Sequence, residues 1–102
     1  MSIKIGNYNF EGPYATPDSF NNYSGVYAIL SRPPGTGPYT VIDVGESGEV
    51  RERLSNHDRG VQWFRANMGG GIAFAVCHCD ERSRKLIESE LRAQYSPVCG
   101  VR

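Results

Sequence analysis

The stretch Ser24-Gly25-Val26-Tyr27-Ala28-Ile29-Leu30 is followed by Arg32-Pro33-Pro34-Gly35-Thr36-Gly37-Pro38 and then by Tyr39-Thr40-Val41-Ile42-Asp43-Val44. The outer runs are rich in β-branched and aromatic residues, which suit a pleated, half-buried surface. The middle run concentrates proline and glycine, the strongest local breakers of regular structure. The three together predict an antiparallel hairpin with a long turn. Strand alternation then puts Val26, Ala28 and Leu30 on one face and Tyr27 on the other.

Downstream, Gly45-Glu46-Ser47-Gly48 opens a helix with Ser47 as N-cap, and Val50, Leu54 and His57 follow at helical spacing. Gly60 interrupts it, and Val61, Phe64 and Met68 suggest a second helical piece. After the break at Gly69-Gly70-Gly71, Ile72–Cys79 reads as an apolar strand. Asp80 caps a last helix whose core face is Ile87, Leu91 and Tyr95, ended by Ser96-Pro97. Upstream, one short strand is expected near Ile3–Phe10, then an irregular loop through Gly12, Pro13 and Pro17. The order from the hairpin onward is β-β-α-(α)-β-α, an α/β or α+β layering of sheet and helices.

With 102 residues and 11.3 kDa the chain is expected to form one domain. Its 39% hydrophobic content supports one modest core. The net charge of zero argues against a histone-like binder. That zero conceals two unlike halves. Residues 1–50 carry Lys4 and Arg32 against Glu11, Asp18, Asp43, Glu46 and Glu49, whereas residues 51–102 hold nine basic and six acidic side chains. The N-terminus shows no secretory pattern and no apolar run is long enough to span a membrane. Three cysteines do not make a disulfide framework, so the cytoplasm is the expected compartment. Cys77-His78-Cys79 with Cys99 offers a metal-thiolate alternative. However, the paired C-x-x-C spacing is missing, and a strand would point His78 away from its two neighbours.

Three familiar patterns fail. Gly35-Thr36-Gly37 lacks the Gly-Lys-Ser/Thr of a phosphate loop. Gly45-Glu46-Ser47 begins like a nucleophile elbow but has Glu49 where the second glycine belongs. There is no His-Glu-x-x-His.

What survives is a constellation. Tyr27 sits mid-strand, Arg53 and His57 lie one helical turn apart, and Glu88 stands on the last helix with Arg84 and Arg92 at i−4 and i+4. A phenol, a guanidinium, an imidazole and a carboxylate are the parts of a phosphodiester-cleaving site. The carboxylate holds a hard divalent cation, the phenol or imidazole accepts a proton, and the arginine stabilises developing negative charge. Each residue taken singly also fits a bland role: Tyr27 as a strand aromatic, Arg84, Glu88 and Arg92 as a solvated ladder, His57 and Arg53 as helix-end charges. Arg51, Arg59, Arg65, Arg82, Arg84 and Arg92 with Trp63 and Phe64 would line a nucleic-acid groove. The competing role for Trp63 and Phe64 is to plug the core under Gly69–Gly71.

Gly25-Val26-Tyr27, then Val44-Gly45-Glu46-Ser47 through Arg53-Leu54-Ser55-Asn56-His57, then Glu88-Ser89-Glu90-Leu91 running to Pro97, resembles the GIY-YIG endonuclease domain. The likeness covers about residues 24–100. Gly45, Ser47, Val50, Arg53, Leu54 and His57 fall in the register of its first helix, and Glu88 stands nine residues before Pro97. The resemblance implies a small three-stranded antiparallel sheet flanked by helices. It implies Tyr27 as general base, Arg53 as transition-state stabiliser, His57 in proton transfer or phosphate contact, and Glu88 as ligand to one Mg²⁺ or Mn²⁺. The substrate would be DNA or RNA, with a homodimer or a partner protein supplying recognition, because family members often carry an appended domain for affinity. Two positions depart from the pattern: Asp43 replaces the second-motif tyrosine and Gly100 the C-terminal asparagine. Asp43 then either adds a carboxylate near the metal or marks a binding module on the same fold. Tyr39, four residues earlier on the same expected face, stands roughly 13 Å away and is a poor substitute.

Overall fold

The computed structural model describes residues 1–67 and 69–99. The Met68 end of the second helical piece and the Gly100 departure lie outside the described residues. The elements are β1 (Ser2–Ile5), β2 (Tyr8–Tyr14), a 3-10 turn (Pro17–Ser19), β3 (Gly25–Ser31), β4 (Thr40–Ser47), α1 (Val50–Ser55), α2 (Gly60–Arg65), β5 (Ile72–His78) and α3 (Glu81–Tyr95). The strands form one antiparallel sheet in the order β1-β2-β5-β3-β4. The domain is therefore α+β, with helices on both faces of the sheet.

The expectation of three strands is corrected to five. The single strand expected near Ile3–Phe10 is a hairpin. Ile5 pairs with Tyr8 across the two-residue loop Gly6-Asn7, and Gly6 takes φ +60°, a conformation that glycine adopts without a Cβ penalty. β2 then runs on to Tyr14 and pairs with β5, adding two strands to the edge of the β5-β3-β4 core.

β3 is covered by neighbours and both layers, and all seven of its residues are buried. Its pleat divides the interior into two cores. Val26, Ala28 and Leu30 meet Ile5, Phe10, Val44, Ala73, Ala75, Ile87 and Leu91 under α3. Tyr27 and Ile29 meet Phe20, Ile42, Val50, Leu54, Trp63, Val76 and Cys99 under α1 and α2. The Ile87/Leu91 stripe thus anchors α3, but Tyr95, expected to continue it, is exposed and accepts from the Gly6 N–H. Asp80 caps the helix by accepting from the Ser83 N–H. At α1 the N-cap position falls to Glu49, whose N–H donates to Ser47 Oγ at 3.0 Å, two residues after the expected cap.

A bulge in β4 overrides strict alternation. Ile29 pairs with Asp43 but Leu30 pairs with Val41, so one residue is inserted between them. Ile42 consequently joins the α1/α2 core while Val41 packs with the α3 core. Tyr39 also packs on the α3 side, whereas Asp43 contacts Trp63. Tyr39 and Asp43 therefore do not share a face, because the extra residue shifts the two-residue period. Among the described residues, no helix is long and apolar enough to cross a membrane.

Candidate functional site

The site forms where β3 and β4 run side by side beneath the loop joining α1 to α2. Tyr27 pairs with Gly45, and its ring lies across the glycine. A Cβ at Gly45 would stand 2.1 Å from Tyr27 Oη. The glycine is thus dictated by close approach. Gly45→Ala is expected to displace the phenol and cost about 1–3 kcal/mol, the usual penalty of overpacking a filled core. Chemical denaturation checks the cost, and an unchanged midpoint with an unchanged Tyr27 environment would rule out the contact.

His57 sits one residue past the C-cap of α1 and brings Nε2 within 2.5 Å of Tyr27 Oη. Its side chain is fully buried, tilted over Trp63 with ring centroids 4.5 Å apart and meeting Tyr27 edge-on at 5.5 Å. Burial, reinforced by the nearby Arg53 and Arg59 cations, lowers its pKa to about 4, so the imidazole is neutral at pH 7. Burial pushes the Tyr27 phenol up to about 12, opposed by the charges of Arg59 and Arg53 and assisted by those of Asp43 and Glu88. The phenol thus feels four charges, each a smaller influence than its burial.

The His57 shift sets a pH dependence. Between about pH 4 and the ordinary value of 6.5 the unfolded chain binds a proton that folded His57 does not. Stability is therefore fully present above pH 6.5 and is lost as pH falls toward 4. Denaturation midpoints at pH 7.5, 6, 5 and 4 measure the loss, and His57→Gln is expected to flatten the slope in that window. An equal slope in both proteins would assign it to other groups.

Arg53 lies on α1, where Nη2 donates to Asp58 Oδ1 at 3.0 Å with the arginine side chain 39% exposed. It lines an open cleft of about 260 Å³ with Ser47, Glu49, Glu52 and Asn56. Glu88 is half-buried on α3. One turn to either side, Arg84 Nε donates to Glu46 at 2.5 Å, and Arg92 Nη2 donates to Asp43 at 2.7 Å and to the Val44 carbonyl. The side of α3 that carries Glu88 therefore runs along β4 past Gly45.

Asp43 is fully buried. Its Oδ2 accepts from Trp63 Nε1 at 2.6 Å and Arg59 Nε at 2.8 Å. Its Oδ1 accepts from Arg92 Nη2 at 2.7 Å and the Val44 N–H at 2.9 Å. Burial disfavours the Arg59 cation, but the hydrogen bond and charge of Asp43 more than offset this and raise its pKa. This hub ties α2 and α3 to β4, and reasoning from residue type alone does not reveal it. The available signal was a carboxylate inside an apolar strand, which must find cations, with Arg59 and Trp63 one turn apart to meet it.

Of the basic and aromatic residues expected to line a nucleic-acid groove, Arg51, Arg65 and Arg82 are exposed. Arg59 and Arg92 are engaged by Asp43, Arg84 is held by Glu46 and Ser24, and Trp63 is buried. Trp63 fills the core, whereas Phe64 is 75% exposed and does not plug it. Cys77 and Cys79 pack against the α3 core and Cys99 lies in the opposite one, with burial raising all three thiol pKa values. Among the described residues no group of three His, Cys, Asp or Glu side chains is placed to hold a metal ion. Mg²⁺ keeps several waters and takes one or two protein carboxylates beside a substrate phosphate, a share that a single glutamate such as Glu88 fits.

No family model matches the chain, and no solved structure matches it. A diphthine methyltransferase of Schizosaccharomyces pombe is 45% identical to it over 51 residues, half of this chain. The match spans 15% of that protein's length.

Proposed function

We propose that the chain is a metal-dependent, nuclease-like domain that hydrolyses phosphodiester bonds of DNA or RNA in the manner of the GIY-YIG domains its motifs resemble. The observation that carries this reading is the contact between Tyr27 and His57, with two further charges felt at the phenol. His57 Nε2 lies 2.5 Å from its oxygen, and the charges of Arg53 and Glu88, drawn from two further elements, act on it. In this reading Tyr27 is the general base and Arg53 faces the phosphate from the cleft. Glu88 would hold one Mg²⁺ or Mn²⁺, which when bound supplies charge neutralisation at the phosphate. Arg51 and Arg65 contribute exposed cations toward nucleic acid, and zero net charge implies weak, salt-sensitive binding by the domain alone. A homodimer or a partner protein would then supply affinity, and a cytoplasmic setting fits the cysteine usage.

A second reading is a catalytically inactive binding module for nucleic acid or protein on the same fold. It is favoured by the 2% exposure of Tyr27 and by Asp43, whose oxygens are taken up by two arginines and an indole at the second-motif position. Methyl transfer, named for the partial relative, is not carried over, since the match is a small fraction of that protein.

The test is nicking of supercoiled and branched DNA, and of RNA, with Mg²⁺ or Mn²⁺ beside a chelator. Cleavage is expected to need the metal and to fall about 10²-fold or more in Glu88→Ala. Cleavage at full rate in that variant would remove Glu88 from the site. Its absence on every substrate would favour the binding module.

A further inference from the structure

A neutral imidazole has one N–H donor and one bare acceptor nitrogen, and which is which is set by its neighbours. In this chain the Arg59 backbone N–H donates to His57 Nδ1 at 3.0 Å. Nδ1 is therefore the acceptor and Nε2 carries the hydrogen. Across the 2.5 Å contact, His57 donates and the Tyr27 oxygen accepts. The competing arrangement is visible: Asp58 Oδ1 lies 3.2 Å from Nδ1 and would accept from a protonated Nδ1. It is disfavoured because Asp58 is 76% exposed and already accepts from Arg53, while the Arg59 N–H would lose its partner. The Arg59 main chain is in turn tethered through its guanidinium, which donates to buried Asp43 at 2.8 Å and 3.4 Å.

We infer that Asp43 is a positioning residue: by holding Arg59 it locks His57 in the Nε2–H tautomer, so that the imidazole supports the Tyr27 oxygen as a donor rather than taking its proton. In a chain where aspartate stands at the second-motif tyrosine position, this assigns the substitution a task that uses its charge and its burial together. The Tyr27 hydroxyl proton is directed away from the imidazole. A phenolate, once formed, would face the Nε2–H with the Arg53 and Arg59 cations close by. The charges around His57 are consistent with a neutral ring, since Arg53 and Arg59 oppose its protonation more than Asp58 and Asp43 favour it. The purpose of the lock rests on the nuclease reading of Tyr27, but the lock itself does not.

The experiment reads the tautomer directly, from the imidazole nitrogen resonances of ¹⁵N-labelled protein at pH 7. His78→Gln leaves His57 as the sole imidazole, since the chain has two histidines. The expected result is a single Nε2–H form. Arg59→Ala and Asp43→Asn are each expected to yield a mixture of both tautomers. Arg92→Ala, which also removes a contact to Asp43 but has no link to His57, is expected to leave the single form. A wild-type Nδ1–H form, or a folded Arg59→Ala protein that keeps Nε2–H alone, would overturn the proposal. If Asp43→Asn does not fold, Arg59→Ala decides. On a cleaved substrate, Arg59→Ala is expected to lower kcat about tenfold or more at nearly constant KM. A raised KM at unchanged kcat would make Arg59 a substrate contact and overturn the positioning role. Lack of cleavage by the wild-type chain would count against the nuclease reading alone and leave the resonances to decide this one.

Discussion

Asp43→Ala is expected to lower the free energy of unfolding by about 3–5 kcal/mol, the cost of removing one partner from a buried ion cluster. The variant leaves the Trp63 indole N–H without an acceptor in a 4% exposed site, and it strips both Arg59 and Arg92 of their shared carboxylate. Their side chains are 24% and 25% exposed, so they can turn partly toward water, which places the expected loss nearer the lower figure. For a domain of this size even that corresponds to a fall in Tm of at least about 12 °C. The informative control replaces the whole cluster, Asp43→Leu with Arg59→Met and Arg92→Met. Well-packed apolar groups in place of a buried charge cluster are often neutral or stabilising. Recovery in the triple variant would assign the loss to stranded charges. A single variant within 1 kcal/mol of the wild type would show that the hub does not hold α2 and α3 to β4.

Under the proposed nuclease reading, Tyr27→Phe is expected to cut cleavage by about 10²–10⁴-fold, the usual contribution of a positioned general base. The substitution keeps the ring that packs on Gly45 and removes only the oxygen that His57 contacts. Its structural cost is one buried donor left unpaired, about 1–3 kcal/mol, so the protein should remain folded at ordinary temperatures. Activity and stability are thereby separated in one variant, which Gly45→Ala cannot do. Because the phenol is pushed up to about 12, kcat/KM of the wild type is expected to rise with pH through the neutral and alkaline range. A flat profile, or full activity in Tyr27→Phe, would remove Tyr27 from proton transfer.

Much of the architecture was legible because it follows from local rules. Gly25–Ser31 and Thr40–Ser47 announce themselves by β-branched residues around a proline-glycine turn, and Ile87 and Leu91 by helical spacing. The β1/β2 hairpin was missed because Gly6-Asn7 and the Gly12-Pro13 step resemble loop punctuation. Only the pairing of β1 with β2, and of β2 with β5, shows them to be the turn and bend of two strands. The bulge in β4 was equally hidden, since alternation in Val41-Ile42-Asp43-Val44 reads as unbroken until β3 sets the register.

The site divides the same way. The sequence alone showed a phenol, an imidazole, a guanidinium and a carboxylate in an order that resembles a known motif, and it ended the second strand at Val44, whereas Gly45 lies inside β4. Tertiary structure decided what they do to one another. It packed Tyr27 over Gly45, turned Asp43 inward to gather Arg59, Trp63 and Arg92, and pointed the Arg59 N–H at His57. The physical reason is burial. A residue's type and spacing fix which bonds it can make, but only the packed interior, by withdrawing water, forces each polar group to choose a partner. In this chain that choice took three of the side chains expected to line a nucleic-acid groove and placed them on one aspartate.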